Sequence, residues 1–151
     1  MDIFGIGPRI AASGIISFAV VILIDLDRHH AGYWFIPETA RLAAGSALVM
    51  AGLYFWLDSV RLISTRFKRG ALITEGVYRI VRNPMYAAFI DFIAPGASLI
   101  LNEPLIILSA LVMLLVFKTG IHREEEYLRE TFGSAYLDYT AKVRQIIPFL
   151  W

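Results

Sequence analysis

The sequence contains no cysteine, which excludes disulfide bonds, thiolate metal sites and a cysteine nucleophile. It also has almost no excess of charge, since its net charge is only +1. Because acidic and basic residues are nearly equal in number, the overall charge gives no indication of a nucleic-acid partner or of an acidic partner. With 151 residues, the chain has the size of one domain, residues 1–151.

Apolar residues are what the sequence has in excess. Hydrophobic residues make up 58% of the chain, above the roughly 45–50% of a typical soluble domain. Aromatic residues cluster at positions 33–35 and 54–56 and again at Phe149 and Trp151, as in the interfacial belts of membrane proteins. The first apolar run lacks a strongly basic leader and a small-residue cleavage site, so we interpret it as a retained helix. The sequence therefore predicts an all-α integral membrane protein.

Four apolar segments predict four transmembrane helices, because each can supply the roughly 20 residues that a bilayer requires. The turn Asn102-Glu103-Pro104 is so short that the last two helices must be antiparallel neighbours. In the second segment, small residues such as Gly45 and Gly52 favour close helix packing, and Glu38 can pair with Arg41. The predicted spans are residues 8–26, 34–57, 84–101 and 104–121.

Charge placement orients the predicted spans. Residues 61–82 carry six basic side chains and one acidic side chain, which is typical of a cytoplasmic loop. The tail, residues 122–151, is also basic in part, so four spans with both termini in the cytoplasm agree with the charges. The tail has an amphipathic helical pattern, which Gly133 is expected to break, with Ser134 as the cap of a second helix.

A polar, basic stretch precedes the third span. Pro84 suits the first turn of a helix and Asn83 suits its N-cap, so the helix is predicted to start there. Arg79, Arg82 and the free N–H groups of the helix start could together hold an anionic group. A basic loop flanking a membrane helix would explain the same residues without any ligand.

The acidic start of the tail should lie near this helix start, because the fourth span returns the chain to the same membrane face. Glu124 and Glu125 would then meet Arg82, Asn83 and Tyr86. Such a pocket would offer cations, carboxylates and aromatic rings together. A solvated helix N-terminus, where the helix dipole favours acidic residues, would be the simpler explanation of the glutamates.

Two blocks of residues resemble the integral-membrane methyltransferase family that includes isoprenylcysteine carboxyl methyltransferases and phospholipid N-methyltransferases. The first block is Gly76-Val77-Tyr78 followed by Arg82-Asn83-Pro84-Met85-Tyr86. The second comprises Glu124-Glu125, Leu128, Phe132-Gly133, Tyr136, Tyr139, Val143 and Pro148. Both blocks stand in the family's order, separated by an apolar helical hairpin, and together they cover about half of the chain.

The resemblance implies S-adenosyl-L-methionine as the methyl donor at the cytoplasmic face, with Arg82, Asn83 and Glu124 as catalytic residues. It also implies that the donor's site is lined by Leu72, Ile73, Tyr78, Asn83, Pro84, Met85, Tyr86, Glu124 and Glu125. The sequence departs from the family's pattern at three places. Asn83 stands where many members have histidine, Arg144-Gln145 stands where the family usually reads Pro-Arg, and Gly120 stands where relatives often carry an arginine that would hold the acceptor. Lys118 or Arg123 could replace that arginine, and Arg123 is therefore a candidate substrate contact.

Asp91 is an acidic residue within the third predicted span. Intramembrane acids often have a function, and Asp91 is a candidate contact for an amine head group of the substrate. A protonated or paired aspartate facing the helix bundle is the structural alternative. His29 and His30 are predicted to lie in an outer loop, with no carboxylate cluster of metal-binding spacing nearby, so no metal site is expected.

Three hypotheses follow. The leading one is an S-adenosylmethionine-dependent membrane methyltransferase, acting on a lipophilic acceptor that enters from the bilayer. The second is an NADPH-dependent membrane reductase resembling the steroid 5α-reductases, and the third is a small four-helix transporter using Asp91. The sequence leaves open whether the acceptor is an isoprenylcysteine carboxylate or a phospholipid amine. It also leaves open the oligomeric state and whether the membrane is an inner or plasma membrane or that of the endoplasmic reticulum.

Overall fold

The computed structural model describes residues 7–28, 33–67 and 70–147. The residues in the sequence predictions that lie outside these ranges are His29, His30, Pro148, Phe149 and Trp151. The described part is almost entirely helical, and an isolated parallel bridge joins Val81 to Arg144. Its helices are α1 (Gly7–Arg28), α2 (Glu38–Thr65), a short 3-10 helix (Gly76–Arg79), α3 (Pro84–Leu101), α4 (Ile106–Phe132) and α5 (Ser134–Lys142).

Helices α2, α3 and α4 are each long and apolar enough to cross a membrane. The apolar stretch of α1, Pro8–Ile24, is shorter than these three. Large apolar side chains, including Met50 and Leu115, are exposed along the bundle, as expected where lipid replaces water. The protein is therefore an integral membrane protein with three candidate spans in the described residues, and the count of four spans stays a prediction.

Helix α3 starts at Pro84 as predicted. The predicted side-chain cap is wrong, because Asn83 makes no capping bond to this helix with its side chain. Instead, the backbone carbonyl of Asn83 accepts hydrogen bonds from the N–H groups of Tyr86 and Ala87, at 3.1 and 3.0 Å. The side chain of Asn83 is thereby free to bond elsewhere, and it does so in the candidate site described below.

The middle of α3 is wider than an α-helix. Residues Ala88–Ile93 form π-helical turns, and regular α-helix resumes at Ala94–Leu101. Pro95 explains the change, because it has no N–H to offer the carbonyl of Asp91 and its ring would clash with that carbonyl in a regular helix. The wider turns avoid this clash, and they contain Asp91.

Helices α2 and α3 pack closely through glycine. A methyl group added at Gly45 would lie 2.8 Å from the carbonyl oxygen of Gly96, and one added at Gly96 would lie 2.8 Å from that of Gly45. Arg41 extends this contact by donating hydrogen bonds to the carbonyls of Leu99 and Ile100 at the end of α3. The predicted pairing of Arg41 with Glu38 is therefore wrong, because the free carbonyls at a helix end attract the guanidinium.

Helix α4 crosses the predicted boundary between span and tail. The predicted span ends at residue 121, but one helix continues from Ile106 to Phe132, so the glutamates lie within this helix and not at a helix N-terminus. The predicted break at Gly133 is confirmed, since Gly133 has a φ of +55° and separates α4 from α5. Ser134 is the first residue of α5 and not its cap, so that detail was wrong.

The segment after α5 returns to the loop before α3. Residues 143–147 lie beside residues 81–83, where Val81 forms its bridge with Arg144. Ile146 is buried in the same apolar cluster as Val81 and Phe117. The C-terminal segment therefore joins the loop, α3 and α4 into one unit at one end of the helix bundle.

Candidate active site

Tyr86 and Glu124 connect the start of α3 to α4. The hydroxyl of Tyr86 donates a hydrogen bond to Oε1 of Glu124 at 2.9 Å, and its other carboxylate oxygen lies at 3.3 Å. The ring of Tyr86 packs against the buried Phe117, with 5.5 Å between ring centroids. Residues that are 38 positions apart in sequence are thus held in direct contact.

Arg82 and Glu125 form a second connection beside the first. Nη2 of Arg82 lies 3.0 Å from Oε1 of Glu125, and the two side chains are only 14% and 23% exposed. This partial burial reduces screening by water, so the pair is stronger than an ordinary surface ion pair. Nε of Arg82 is buried and has no hydrogen-bond partner among the described residues.

Gln145 connects the C-terminal segment to this ion pair. Its Nε2 donates to Oε1 of Glu125 at 2.9 Å, while its Oε1 accepts a hydrogen bond from Nζ of Lys118 at 2.9 Å. Its backbone carbonyl accepts hydrogen bonds from the N–H and from the side-chain amide of Asn83, at 2.9 and 3.2 Å. The N–H of Arg82 donates to the carbonyl of Arg144 at 2.7 Å. Two backbone amides just before α3 are therefore already bonded, which leaves fewer donors for an anion than the sequence predicted.

Tyr78, a predicted donor-site residue, is partly buried against the core and bonded to α2 and α5. Its backbone carbonyl accepts a hydrogen bond from the hydroxyl of Tyr139 at 2.7 Å. Burial is the largest cause of a pKa of Tyr78 well above the ordinary tyrosine value, and a side-chain hydrogen bond with Ser59 partly opposes it. Tyr78 therefore connects Ser59 of α2, through its side chain, to Tyr139 of α5, through its backbone carbonyl.

A polar cavity of about 200 Å³ lies between α4 and α5, with Arg82 at its edge. Among the residues that the sequence predicted for the site, Arg82 and Glu125 line this cavity. Leu72, Ile73, Asn83, Pro84, Met85, Tyr86 and Glu124 do not line it, although Asn83, Tyr86 and Glu124 adjoin Arg82 and Glu125. The lining residues are Arg82, His122, Glu125, Glu126, Arg129, Tyr136, Leu137 and Thr140.

Six of these lining residues were missed, although the sequence contained a signal for four of them. His122, Glu126 and Arg129 recur at intervals of four and three residues, which places them on one face of α4 together with Glu125. Tyr136 belongs to the second resembling block. Burial, together with the negative charge of Glu125, raises the pKa of Tyr136 to about 12. Tyr136 is therefore a neutral hydrogen-bonding group at physiological pH.

The two predicted substrate residues are not part of the polar cavity. Arg123 is exposed on α4, next to Glu124 in sequence but outside the cavity lining. Asp91 lines a different cavity, between α3 and α4. No group of three histidine, aspartate or glutamate side chains suited to a metal ion occurs in the ranges that the structure covers.

The comparison with known families identifies the chain's relatives. A sequence model of the family described as "Phospholipid methyltransferase" matches residues 39–135, well over half of the chain. The chain belongs to this family. The matched region contains both the Arg82–Tyr86 corner and the Glu124–Glu125 pair, which are the residues that meet in the structure.

Several curated relatives share a more specific name. The chain is 34% identical over 107 residues to protein-S-isoprenylcysteine O-methyltransferase B of Arabidopsis thaliana, which covers 70% of this chain and 52% of the relative. It is 36% identical over 105 residues to the protein-S-isoprenylcysteine O-methyltransferase of Schizosaccharomyces pombe, covering 70% of this chain and 43% of the relative. The chain thus spans about half the length of the curated relatives it matches.

Proposed function

We propose that the protein is an S-adenosylmethionine-dependent methyltransferase that modifies a lipophilic acceptor at the membrane surface. The observation that carries this proposal is the meeting of the two family blocks through Tyr86–Glu124 and Arg82–Glu125. Family membership supports methyl transfer over a nicotinamide-dependent reductase or a transporter.

The chemistry of the polar cavity fits the amino-acid end of the methyl donor. Arg82 and Arg129 could bind a carboxylate, while Glu125 and Glu126 could bind an ammonium group. At about 200 Å³ the cavity is smaller than the ~300–1,000 Å³ of pockets for drug-sized ligands. The cavity therefore has room for only part of the donor. The rest of the donor would lie against Tyr86 and Glu124, which are next to the cavity. When bound, S-adenosylmethionine supplies an activated methyl group carried on a sulfonium.

The residues of the chain contribute chiefly by positioning the reactants. Methyl transfer requires the nucleophile, the methyl carbon and the sulfur in line, so fixed geometry accounts for more of the rate than acid or base chemistry. Glu124 is held by the hydroxyl of Tyr86, and Arg82 is held by Glu125. Asn83 fixes the C-terminal segment against the same corner through its amide. We assign the catalytic contribution to Arg82, Asn83 and Glu124 on this basis.

We place the site on the cytoplasmic face, with both ends of the chain on that side. The support is the concentration of basic residues in the loop between α2 and α3, together with the arginines and the lysine of the tail, because the positive-inside rule assigns such segments to the cytoplasm. The acceptor enters from the bilayer, because α3 and α4 connect the site directly to their lipid-exposed apolar surfaces.

Transfer of labelled methyl from S-adenosylmethionine into a lipid extract tests the proposal. We expect Glu124→Gln and Arg82→Gln each to lower the transfer rate by about 100-fold, as misplaced reactants commonly do. Glu130→Gln and Arg79→Gln are matched controls and should keep the wild-type rate. Both side chains are exposed outside the cavity lining, so Arg79 does not join Arg82 there as the sequence suggested.

Two results would contradict the proposal in different ways. Wild-type rates in both Glu124→Gln and Arg82→Gln would reject the site while leaving the activity in place. Absence of labelled product with wild-type protein, together with no change in thermal unfolding on adding S-adenosylhomocysteine, would reject the activity itself. Thermal unfolding in detergent confirms that each variant is folded.

A further inference from the structure

A second cavity lies within the membrane-spanning part of α3 and α4 and shares no lining residue with the polar cavity. Its volume is about 320 Å³. Asp91 contributes the one charged side chain of its lining, and every other lining side chain is apolar. The lining residues are Ile90, Asp91, Pro95, Ile107, Ala110, Leu111, Leu114 and Ile147.

Asp91 brings an unsatisfied polar atom to this apolar cavity. Its Oδ2 is buried and has no hydrogen-bond partner in the described parts of the chain. Buried polar atoms nearly always have a partner, so an exception calls for an explanation such as a ligand. Asp91 also lies in the π-helical turns that Pro95 introduces into α3. The unpartnered oxygen in an apolar cavity is the observation that indicates a ligand for Asp91.

The charge of the lining selects the kind of molecule. No arginine, lysine or histidine is among the lining residues, so a carboxylate or phosphate group would meet only the like charge of Asp91. An amine can instead donate hydrogen bonds to the carboxylate, and a hydrocarbon chain can occupy the apolar remainder. A protonated aspartate with no ligand is the alternative, and the experiment below separates the two.

The cavity also lies close to the candidate active site. Asp91 follows Tyr86 by five residues, which is about 7–8 Å along a helix at 1.5 Å per residue. On the other side, Ile147 lines the cavity and stands two residues after Gln145, which bonds to Glu125. A molecule in this cavity would thus lie next to the candidate active site, on the side that faces the bilayer.

We propose that this cavity binds a lipophilic amine lacking a phosphate or carboxylate group, with the carboxylate of Asp91 as its polar contact. The identification of this molecule with the methyl acceptor rests on the proposed function, but the binding site itself does not. Asp91 is then a specificity-determining residue for amines over acids.

Photolabelling of the full chain in lipid nanodiscs tests the site without any need for methyl transfer. The probes are a long-chain alkylamine, the alcohol and the carboxylic acid of the same length, each with a diazirine on the chain. We expect the amine to label peptides of α3 and α4 most strongly. Asp91→Asn should weaken that labelling by about tenfold or more, because the negative charge that strengthens the hydrogen bond from the ammonium is lost, while labelling by the alcohol should change little.

A pair of variants on α4 tests the cavity independently of Asp91. Leu111 lines the cavity and Leu115 does not, although both side chains are exposed to lipid one turn apart. Leu111→Trp should reduce labelling by the amine and by the alcohol, whereas Leu115→Trp should leave both unchanged. Because these side chains are exposed, neither variant should impair folding.

Three outcomes would overturn the proposal. One is equal amine labelling of wild type and Asp91→Asn, which would show an unliganded protonated aspartate. The second is stronger labelling by the acid than by the amine, and the third is no effect of Leu111→Trp. Amine labelling without methyl transfer would keep the binding site and reject the proposed function, whereas transfer without amine labelling would do the reverse.

Discussion

At the scale of single residues, Glu125 is the point where three parts of the chain meet. Its side chain, on α4, forms an ion pair with the guanidinium of Arg82 from the loop before α3. It also accepts a hydrogen bond from the side-chain amide of Gln145 in the C-terminal segment. The resembling block includes Glu125 and not Glu126, but the spacing of the glutamates alone could not distinguish the two. Contacts from segments distant in sequence make the difference, and these depend on the packing of α3 against α4.

Tyr136 provides a prediction for alkaline pH. Its pKa in the folded protein is about 12, against about 10 for an unperturbed tyrosine, so the folded state holds this proton more tightly than the unfolded state. The resulting stabilisation is fully present below pH 10 and is lost as the pH rises through about 12. We expect the free energy of unfolding of wild type to fall more steeply over this range than that of Tyr136→Phe.

Unfolding measured in detergent at several alkaline pH values checks this expectation, and tyrosinate absorbance provides an independent titration. Losing the hydroxyl also changes the free energy of unfolding by an amount that does not depend on pH. Comparing how steeply the free energy of unfolding falls with pH in the two proteins removes this constant amount. Parallel curves for wild type and Tyr136→Phe would contradict the assigned burial of this phenol.

At the scale of helices, glycine sets the distance between α2 and α3. Gly45 and Gly96 each place their Cα against the other's carbonyl oxygen, so no side chain fits between the two backbones. Close approach of this kind stabilises helices in lipid, where the hydrophobic effect between helices is absent. The sequence indicated small residues throughout α2, of which Ala43 and Ala44 are exposed while Gly45 and Gly52 are buried against α3.

Gly45→Val should therefore destabilise the protein markedly. The added side chain would meet the backbone of α3 and force the helices apart, at a cost of about 1–3 kcal/mol in the free energy of unfolding. Ala44→Val is the control, because it adds bulk at the neighbouring exposed position of the same helix. Thermal unfolding in detergent distinguishes them, and equal unfolding temperatures for the two variants would be inconsistent with the described contact.

At the scale of the whole molecule, the C-terminal segment holds the candidate active site together. Residues 143–147 bond to the loop before α3 and reach Lys118 and Glu125 on α4. The segment lies beyond the part of the chain that matches the family's sequence model, residues 39–135. Its position nevertheless determines which amides and side chains of the site remain available.

Ile146 anchors this segment, since its side chain is buried with Val81 and Phe117. We expect Ile146→Ala to lower the free energy of unfolding by about 2–5 kcal/mol, as is usual when a large buried side chain is removed. Methyl transfer should fall as well, because the bonds from Gln145 depend on the segment's position. Arg144→Ala should change both little, because its side chain is exposed and only its backbone bonds to the loop.

Unfolding and transfer measured together on these two variants check the anchor. If Ile146→Ala matched Arg144→Ala in both measurements, the C-terminal segment would have no part in organising the site. Loss of stability without loss of transfer would limit its role to the fold.

The sequence by itself determined the membrane class, the helical character, the start of α3 at Pro84 and the break at Gly133. These follow from apolar composition and from the local backbone constraints of proline and glycine, which act within a few residues. The two blocks resembling the family also indicated which residues should converge. Local patterns could not show that α4 continues to Phe132 or that the Tyr78 side chain is partly buried against the core.

Only the tertiary structure decided which donors and acceptors are already paired. The carbonyls of Arg144 and Gln145 accept hydrogen bonds from two backbone amides that were expected to face a ligand. The side chain of Gln145 bonds to both Lys118 and Glu125. Asp91 has an oxygen without a partner among the described residues, in an apolar cavity. Each of these results joins segments that are many residues apart in the chain. Such contacts depend on how whole helices pack, and side-chain pairing across a bundle leaves no periodic signal in the sequence.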